Sequence, residues 1–519
     1  MTVTPAAQDV VARHRRAHDR RAEWESVWRE CYDYALPSRT GALSPTGGQA
    51  KPERLFDGTA PDAADQLAAS LLAQLTPPWA RWFGLGPGTD SHPDERGLLA
   101  PELERVAAIL QSHFDRSNFA VEMHQCYLDL AVAGTASLLV EEAPPGDPSA
   151  LRFTAVPLTQ IAFEESASGR LDATFRRWEM PVARAQARFP GAEIPAFALE
   201  RAERNPEATF AVIESVLPDN DDGAEGFRYL AVADSETGAE FGAAGGPAIL
   251  ASGRFAHSPF INFRWLKAPG EIYGRSPVMK ALPDIKTANK VVELVLKNAS
   301  IAVTGIWQAD DDGVLNPATV RLVPGAIIPK AVGSAGLTPL EAPGRFDVSQ
   351  LVLEELRARI RQAMLADKLG QVSGPRMSAT EVLERAAEMA RVLGATYGRL
   401  QSELLTPLLL RTIAILTRRG EIPPLIVDGR RIALEYKSPL ARNQARMDAQ
   451  HTLLWLEAVR ALGPDGLAAV DHAAAARWLG RAFGVPGELI REQSALPAET
   501  QAAVLALAHA AGSALDNQR

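Results

Sequence analysis

Lys286, Lys290 and Lys297 stand at i, i+4 and i+11, and at 100° per residue a helix gathers them within about 40° of one another. A stripe of ammonium groups like this suits contact with an anionic partner. The same spacing describes a solvated helix face, or one that pairs across subunits with Glu354 and Glu355. Arg357 and Arg361, at i and i+4, could add to it. A second basic pair, Lys368 and Arg376, lies in the loop DKLGQVSGPRM together with Gly370, Gly374 and Pro375. Glycine would let that backbone change shape; read plainly, it is a surface loop with ordinary basic residues.

Covalent chemistry finds little support. The nine histidines include no HExxH and no close pair with metal-ligand neighbours. His14 and His18 are i, i+4, but they sit in RHRRAHDRR (13–21), which reads as a solvated helix face. The chain lacks both a P-loop and a GxSxG elbow, the commonest signatures of ATPases and hydrolases. GLGPG at 84–88 imitates a phosphate loop, yet it contains proline and lacks a strand–helix context, which predicts a turn. Asp310, Asp311, Asp312 and Gly313 lack a downstream glutamate at cation-loop spacing and read as a solvated turn. Cys31 and Cys126 are too few for a disulfide framework and read as buried small hydrophobes in a reducing compartment. No catalysis, cofactor or metal is expected.

A chain of 519 residues usually divides into two to four domains. Its 46% hydrophobic and 23% charged content is that of a soluble globular protein. The net charge of −9 argues against a base-reading DNA module. It suits a surface along which a polyanion slides, because a strongly cationic one would hold phosphates and stall movement. The N-terminus lacks the apolar stretch of a secretion signal, and no window reaches 18 apolar residues, so no membrane span is expected.

The elements that must position these side chains follow from periodicity and breakers. Helices are predicted over 7–36, 61–76, 97–115 and 119–133, the first carrying Trp24, Trp28 and Tyr32 on one face. Short Val/Phe/Thr/Ile-rich strands follow at 136–141, 151–156, 160–165, 171–178, 209–217, 226–233 and 259–265, with a short helix near 181–189. They predict a small antiparallel barrel or sandwich. Trp24, Trp28, Trp79 and Trp82 suit core or subunit packing. The helical period returns from Pro277 to about Ala302 and again from Val348 to Ala366, around a Gly/Pro-punctuated insert at 303–346. A long helix opens on the capping box Ser378-Ala379-Thr380-Glu381, with a kink predicted at Pro407 and Gly420 as its C′ residue. Three short helices are predicted after 441, and the class is α+β, mainly α.

Several segments resemble the portal, or head-to-tail connector, family of short-tailed bacteriophages. They are ERLFDGTAPDAADQLAASLLAQLTPPWARWFGL (53–85), YLDLAVAGTASLLVEE (127–142), YGRSPVMKALPDIKTANKV (273–291), MSATEVLERAAEM (377–389) and YGRLQSELLTPLL (397–409). Their order spans most of 20–450. The resemblance implies a non-enzymatic dodecameric ring in the virion, at one capsid vertex, assembled in the host cytoplasm and threaded by double-stranded DNA. It implies a wing (1–276), stem helices (277–302 and 347–366) flanking a clip (303–346), a tunnel loop (367–377), a long wing helix with a return strand (378–440) and a crown (441–519). Lys286, Lys290, Lys297, Lys368 and Arg376 would then face DNA phosphates without reading sequence. The expected partners are further copies of the chain, terminase, major capsid and scaffolding proteins, and tail adaptor or nozzle proteins. The alternative is an oligomeric virion or adaptor protein with no DNA conduit.

Overall fold

Pro37 closes the first helical run, and Pro61, Pro77 and Pro78 bracket the second, so the chain starts as separate rods that must find partners. A computed structural model describes, in the main, residues 4–39, 55–88, 93–167, 169–219, 226–234, 247–304, 346–366, 396–436, 439–461 and 470–483, with two short strands between 304 and 346. The rods are α1 (Thr4–Ala35), α2 (Thr59–Leu75), α3 (Pro93–Arg116) and α4 (Phe119–Ala133), with strand β1 (Phe83–Pro87) between α2 and α3. The apolar faces of α2 and α4 meet, burying Leu67, Leu71 and Leu75 with Met123 and Leu130 in the main core. Trp82, Phe83, Phe114, Phe119 and Phe153 stack edge and face in the same core, centroids 4.8–6.2 Å apart. Trp28 and Tyr32 are buried as their spacing predicts, and Trp28 packs edge-on against Tyr273 at 5.0 Å. Trp79, by contrast, is exposed. Cys31 and Cys126 are free and buried, and burial drives the Cys31 thiol up to about 12, so both serve as packing groups.

The strands form two open antiparallel sheets rather than the expected barrel. β2 (Thr135–Glu142) lies between β3 (Leu151–Ala155) and β9 (Phe260–Arg264). The other sheet is a meander of β4 (Ile161–Glu164), β5 (Ala173–Pro181), β6 (Thr209–Asp219), β7 (Gly226–Asp234) and β8 (Ala248–Phe255). Both faces of this meander are apolar, so helices cover it instead of a second sheet. Ala7, Val10 and Ala17 of α1 bury Phe175, Ile213 and Val232 on one face. On the other, α5 (Val182–Arg188) and α6 (Ala196–Arg204) bury Val212, Ala231 and Leu250. The alternation of Val212 with Ile213 is the strand period at work.

Two sequence expectations are corrected here. RHRRAHDRR is solvated on one side only: Arg15, Arg16, Asp19 and Arg20 are exposed, but His14 and Arg21 are buried, and Arg21 Nη1 donates to the carbonyls of Leu158, Thr159 and Ile161 at 2.8–3.2 Å. Arg13 pairs with Glu164 at 2.6 Å. Burial first, then the charges of His18 and Arg177, lower the His14 pKa to about 4. The meander's apolar face drew this side of α1 inward. GLGPG is a strand, not a turn: Gly84–Pro87 of β1 pair with β12 (Ile432–Tyr436). A Cβ on Gly88 would stand 2.1 Å from the Arg430 carbonyl oxygen, so the glycine there serves a close backbone approach.

Arg264 joins these parts. Its side chain is 0% exposed, with Nη2 2.7 Å from Glu403 Oε1 and Nη1 3.2 Å from Glu165 Oε1. It also donates to the carbonyls of Gly169 and Ile272. Glu403 lies in a π-helical turn, Gln401–Leu405, that leads into α9 (Thr406–Arg418). The kink expected at Pro407 takes this form: Thr406 donates through both N–H and Oγ1 to Gln401 O, widening the turn before the ring arrives. Gly420 (φ 73°) closes α9, with the Gly420 and Glu421 amides donating to Thr417 O and Leu416 O. Glu403→Ala should cost about 3–5 kcal/mol by leaving Arg264 buried and half-paired; chemical denaturation followed by circular dichroism checks it.

Candidate DNA-channel face of the stem

Ser276 caps α7 (Pro277–Thr304), its Oγ accepting from Met279 N at 2.9 Å, with Pro277 in the first turn. The chain returns through α8 (Phe346–Ala363). Asp284, near the start of α7, pairs with Arg359, near the end of α8, at 3.1 Å, so the two helices run antiparallel. Between them β10 (Trp307–Ala309) pairs antiparallel with β11 (Leu337–Pro339).

One half of this helix pair is anchored and the other projects. Val278, Ala281, Ile285 and Ala288 of α7, Leu356 and Ile360 of α8, and Met364 just after α8 are buried in the main core. The segment before α2 holds both helices: Asn289 Oδ1 accepts from the amides of Phe56 and Asp57 at 2.6 and 3.1 Å. The Asp57 carboxylate meets Arg357 at 2.7 Å and accepts from Thr59 N at 3.0 Å. Burial works to raise the Asp57 pKa, but its bonds to Thr59 and Arg357 outweigh that and hold it below the usual range. Beyond Asn289 the apolar side chains Leu294, Leu296, Leu351 and Val352 are exposed.

The lysine stripe starts on the anchored half, where Lys286 lies between the buried Ile285 and Ala288, and runs past Asn289 onto the other half. Lys286 meets Glu30 of α1 at 3.2 Å, and Lys290 and Lys297 meet Glu293 at 2.9 and 2.6 Å. All three ammoniums are well exposed, at 44%, 61% and 64%. Glu293 lies about 20° from Lys286 at 100° per residue, along the edge of the stripe, a point that the lysine spacing alone passed over. Lys297 and Lys290 hydrogen-bond Glu293 and lower its pKa. Glu354 and Glu355 are exposed and take none of these lysines within the subunit. Arg357, read with the basic stripe, pairs within the subunit with Asp57 at 2.7 Å. Sequence reasoning also missed Asp57 and Asn289, although Asp-Gly-Thr just before an apolar helix is a recognisable turn signal.

Lys368, Gly370, Gly374, Pro375 and Arg376 lie outside the described residues, as do the capping box at 378–381, Asp310–Gly313 and most of 303–346. Among the described residues, no three His, Cys, Asp or Glu side chains gather as metal ligands would, and no helix is long and apolar enough to cross a membrane.

The model of the bacteriophage head to tail connecting protein family matches residues 7–490. The chain belongs to this family. It is 27% identical over 443 residues to the probable portal protein of Bordetella phage BPP-1, covering 82% of this chain and 77% of that one. It is 24% identical over 433 residues to the portal protein of Enterobacteria phage T3 (81% and 75% covered) and 22% over 419 to that of Escherichia phage T7 (79% and 75%). Among solved structures, a chain of the virion of a native gene transfer agent particle aligns at TM-score 0.38 and 12% identity, over 83% of this chain and 92% of that one, a likeness too distant to bear on the fold. These relatives support a phage portal function, and the family is structural rather than enzymatic.

Asp57 ties the segment before α2 to α8 through Arg357. Because its native pKa is lowered, Asp57 adds stability above the ordinary carboxylate value of 3.8 and loses that contribution as the pH falls through it. Asp57→Asn should cost about 1–3 kcal/mol at neutral pH. The melting-temperature gap to the natural chain should narrow below about pH 4, and parallel thermal melts measure it.

Proposed function

We propose that twelve copies of this chain close into a portal ring at one capsid vertex, with α7 and α8 of each copy lining the conduit through which DNA enters and leaves. The observation that carries this reading is the projecting half of the stem. A lone antiparallel helix pair that exposes Leu294, Leu296, Leu351 and Val352 is unfinished as a monomer, and side-by-side copies would cover those side chains. The clip at 303–346 and the crown at 441–519 would lie at opposite ends of the ring. Terminase and then the tail adaptor or nozzle proteins would dock at the clip, and capsid and scaffolding proteins would meet the wing.

Lys286, Lys290 and Lys297 would stack as rings of positive charge along the bore, with Lys368 and Arg376 on the tunnel loop. Exposed ion pairs of the Lys290–Glu293 kind are worth about 0–1 kcal/mol, so a passing phosphate can displace Glu293 without a large penalty. The same carboxylate keeps the stripe from gripping. A weak, sequence-independent contact is what a sliding duplex needs.

Native mass spectrometry should give about 670 kDa for twelve copies of 55.8 kDa, and end-on images should show a radial ring with a central hole. A chain that stays monomeric or dimeric at high concentration defeats the proposal. Replacing Lys286, Lys290 and Lys297 by alanine should leave the ring intact and reduce the DNA packaged per particle. Neutralising Lys368 and Arg376 together should do the same; a lost ring in either variant would reassign those residues to assembly.

A further inference from the structure

Arg411, in the middle of α9, is 4% exposed, and among the described residues no carboxylate lies within ion-pair distance of it. Its Nε and Nη1 point at the carbonyls of Val140 and His257 at 3.4 and 3.5 Å, the long limit of a hydrogen bond. Its guanidinium carbon stands 4.6 Å from the centre of the Phe255 ring. Nη2 has no acceptor, yet it is not among the sealed, unpartnered polar atoms, so it keeps an edge open to solvent. Burial first, then the Arg418 charge, pull the Arg411 pKa down to about 10, which leaves the group charged at neutral pH. Arg264, equally hidden, has two carboxylates. A buried charge without one is costly.

The neighbours are all engaged. Arg188 takes Glu141 and Glu214, each at 2.9 Å, and Arg176 shares Glu214 at 3.7 Å. Arg418 and Arg419 take Glu142, and Arg419 also takes Glu421 at 2.7 Å. Arg184 is exposed and rests against the Trp178 ring at 5.1 Å, with no carboxylate partner. Six guanidiniums therefore meet four carboxylates along this belt, and the shortfall falls on Arg411 and Arg184. The chain as a whole carries a net −9, so its remaining surface holds the surplus of acid.

We propose that this belt is a docking surface for a second copy of the chain, whose surface carboxylates complete Arg411 and Arg184. The inference rests on the ring reading above, which sets an acidic copy beside each subunit. Duplex DNA fits the belt less well. Glu141, Glu142 and Glu421 stay on it and would repel a continuous polyanion, whereas isolated cations between carboxylates suit single side chains.

Arg411→Met removes the buried charge while keeping most of the side-chain length, and Arg184→Glu reverses an exposed charge that the fold does not use. Native mass spectrometry over a dilution series reads the ring fraction, and circular dichroism of the dilute subunit reads folding. Arg411→Met should melt at or above the natural chain, because the hidden charge is gone. Both variants should need about tenfold or more protein to assemble, the loss that follows from about 1.4 kcal/mol at an interface. Rings from both variants at the natural chain's concentration would overturn this inference and leave the ring reading standing. A natural chain that never assembles would overturn both. Unchanged assembly with weakened duplex binding would make the belt a nucleic-acid surface and would also refute it.

Discussion

The rest of the molecule depends on one hidden cation. Taking a guanidinium wholly out of water is tolerable only when carboxylates and carbonyls replace the solvent, and Arg264 finds both from three separate stretches of chain. Its backbone amide binds Glu403 as well, so strand β9 and the helix that carries Glu403 are locked in one register. The π turn belongs to the same constraint. It lets the helix continue into a proline and turns Glu403 toward the sheet. Since α7 begins only a dozen residues after Arg264, the direction in which the stem leaves the body is set by this knot.

The stem itself is built on contrast. Its first half is held by apolar burial and by the Asp57–Arg357 and Asn289 contacts, all with the segment before α2. Its second half has neither, and there Lys290, Lys297 and the exposed leucines sit. A rod fixed at one end and free at the other can pack against copies of itself without reorganising its own core. In the held half the buried Asp57 carboxylate takes Arg357, whereas further along α7 Lys290 and Lys297 share Glu293 with their own side chains exposed.

Arginine does two different jobs around the sheets. Arg21 and Arg264 are satisfied within the subunit, by carbonyls and carboxylates that the fold delivers. Arg411 is as deeply placed and is not. That difference, between neighbours a few strands apart, marks where the subunit is complete and where it is not.

Much of this was legible in the residues alone. The helices read at 119–133 and 277–302 and the strand read at 136–141 (Phe119–Ala133, Pro277–Thr304 and Thr135–Glu142 in the fold), the inward face of Trp28 and Tyr32 and the glycine stop at Gly420 all came from local period and local sterics, which need no knowledge of distant chain. The order of five motifs likewise sufficed for the family. What escaped were features decided by partners far off in sequence. GLGPG looks like a turn until β12 lies beside it, and RHRRAHDRR looks solvated until a meander with two apolar faces claims one side of α1. The lysine stripe could be spaced from the sequence, but Glu30, Phe56 and Asp57 met α7 and α8 only through contacts spanning hundreds of residues. Periodicity reports which face of an element is apolar; only packing decides what covers that face, and therefore which charges are buried, paired or left waiting.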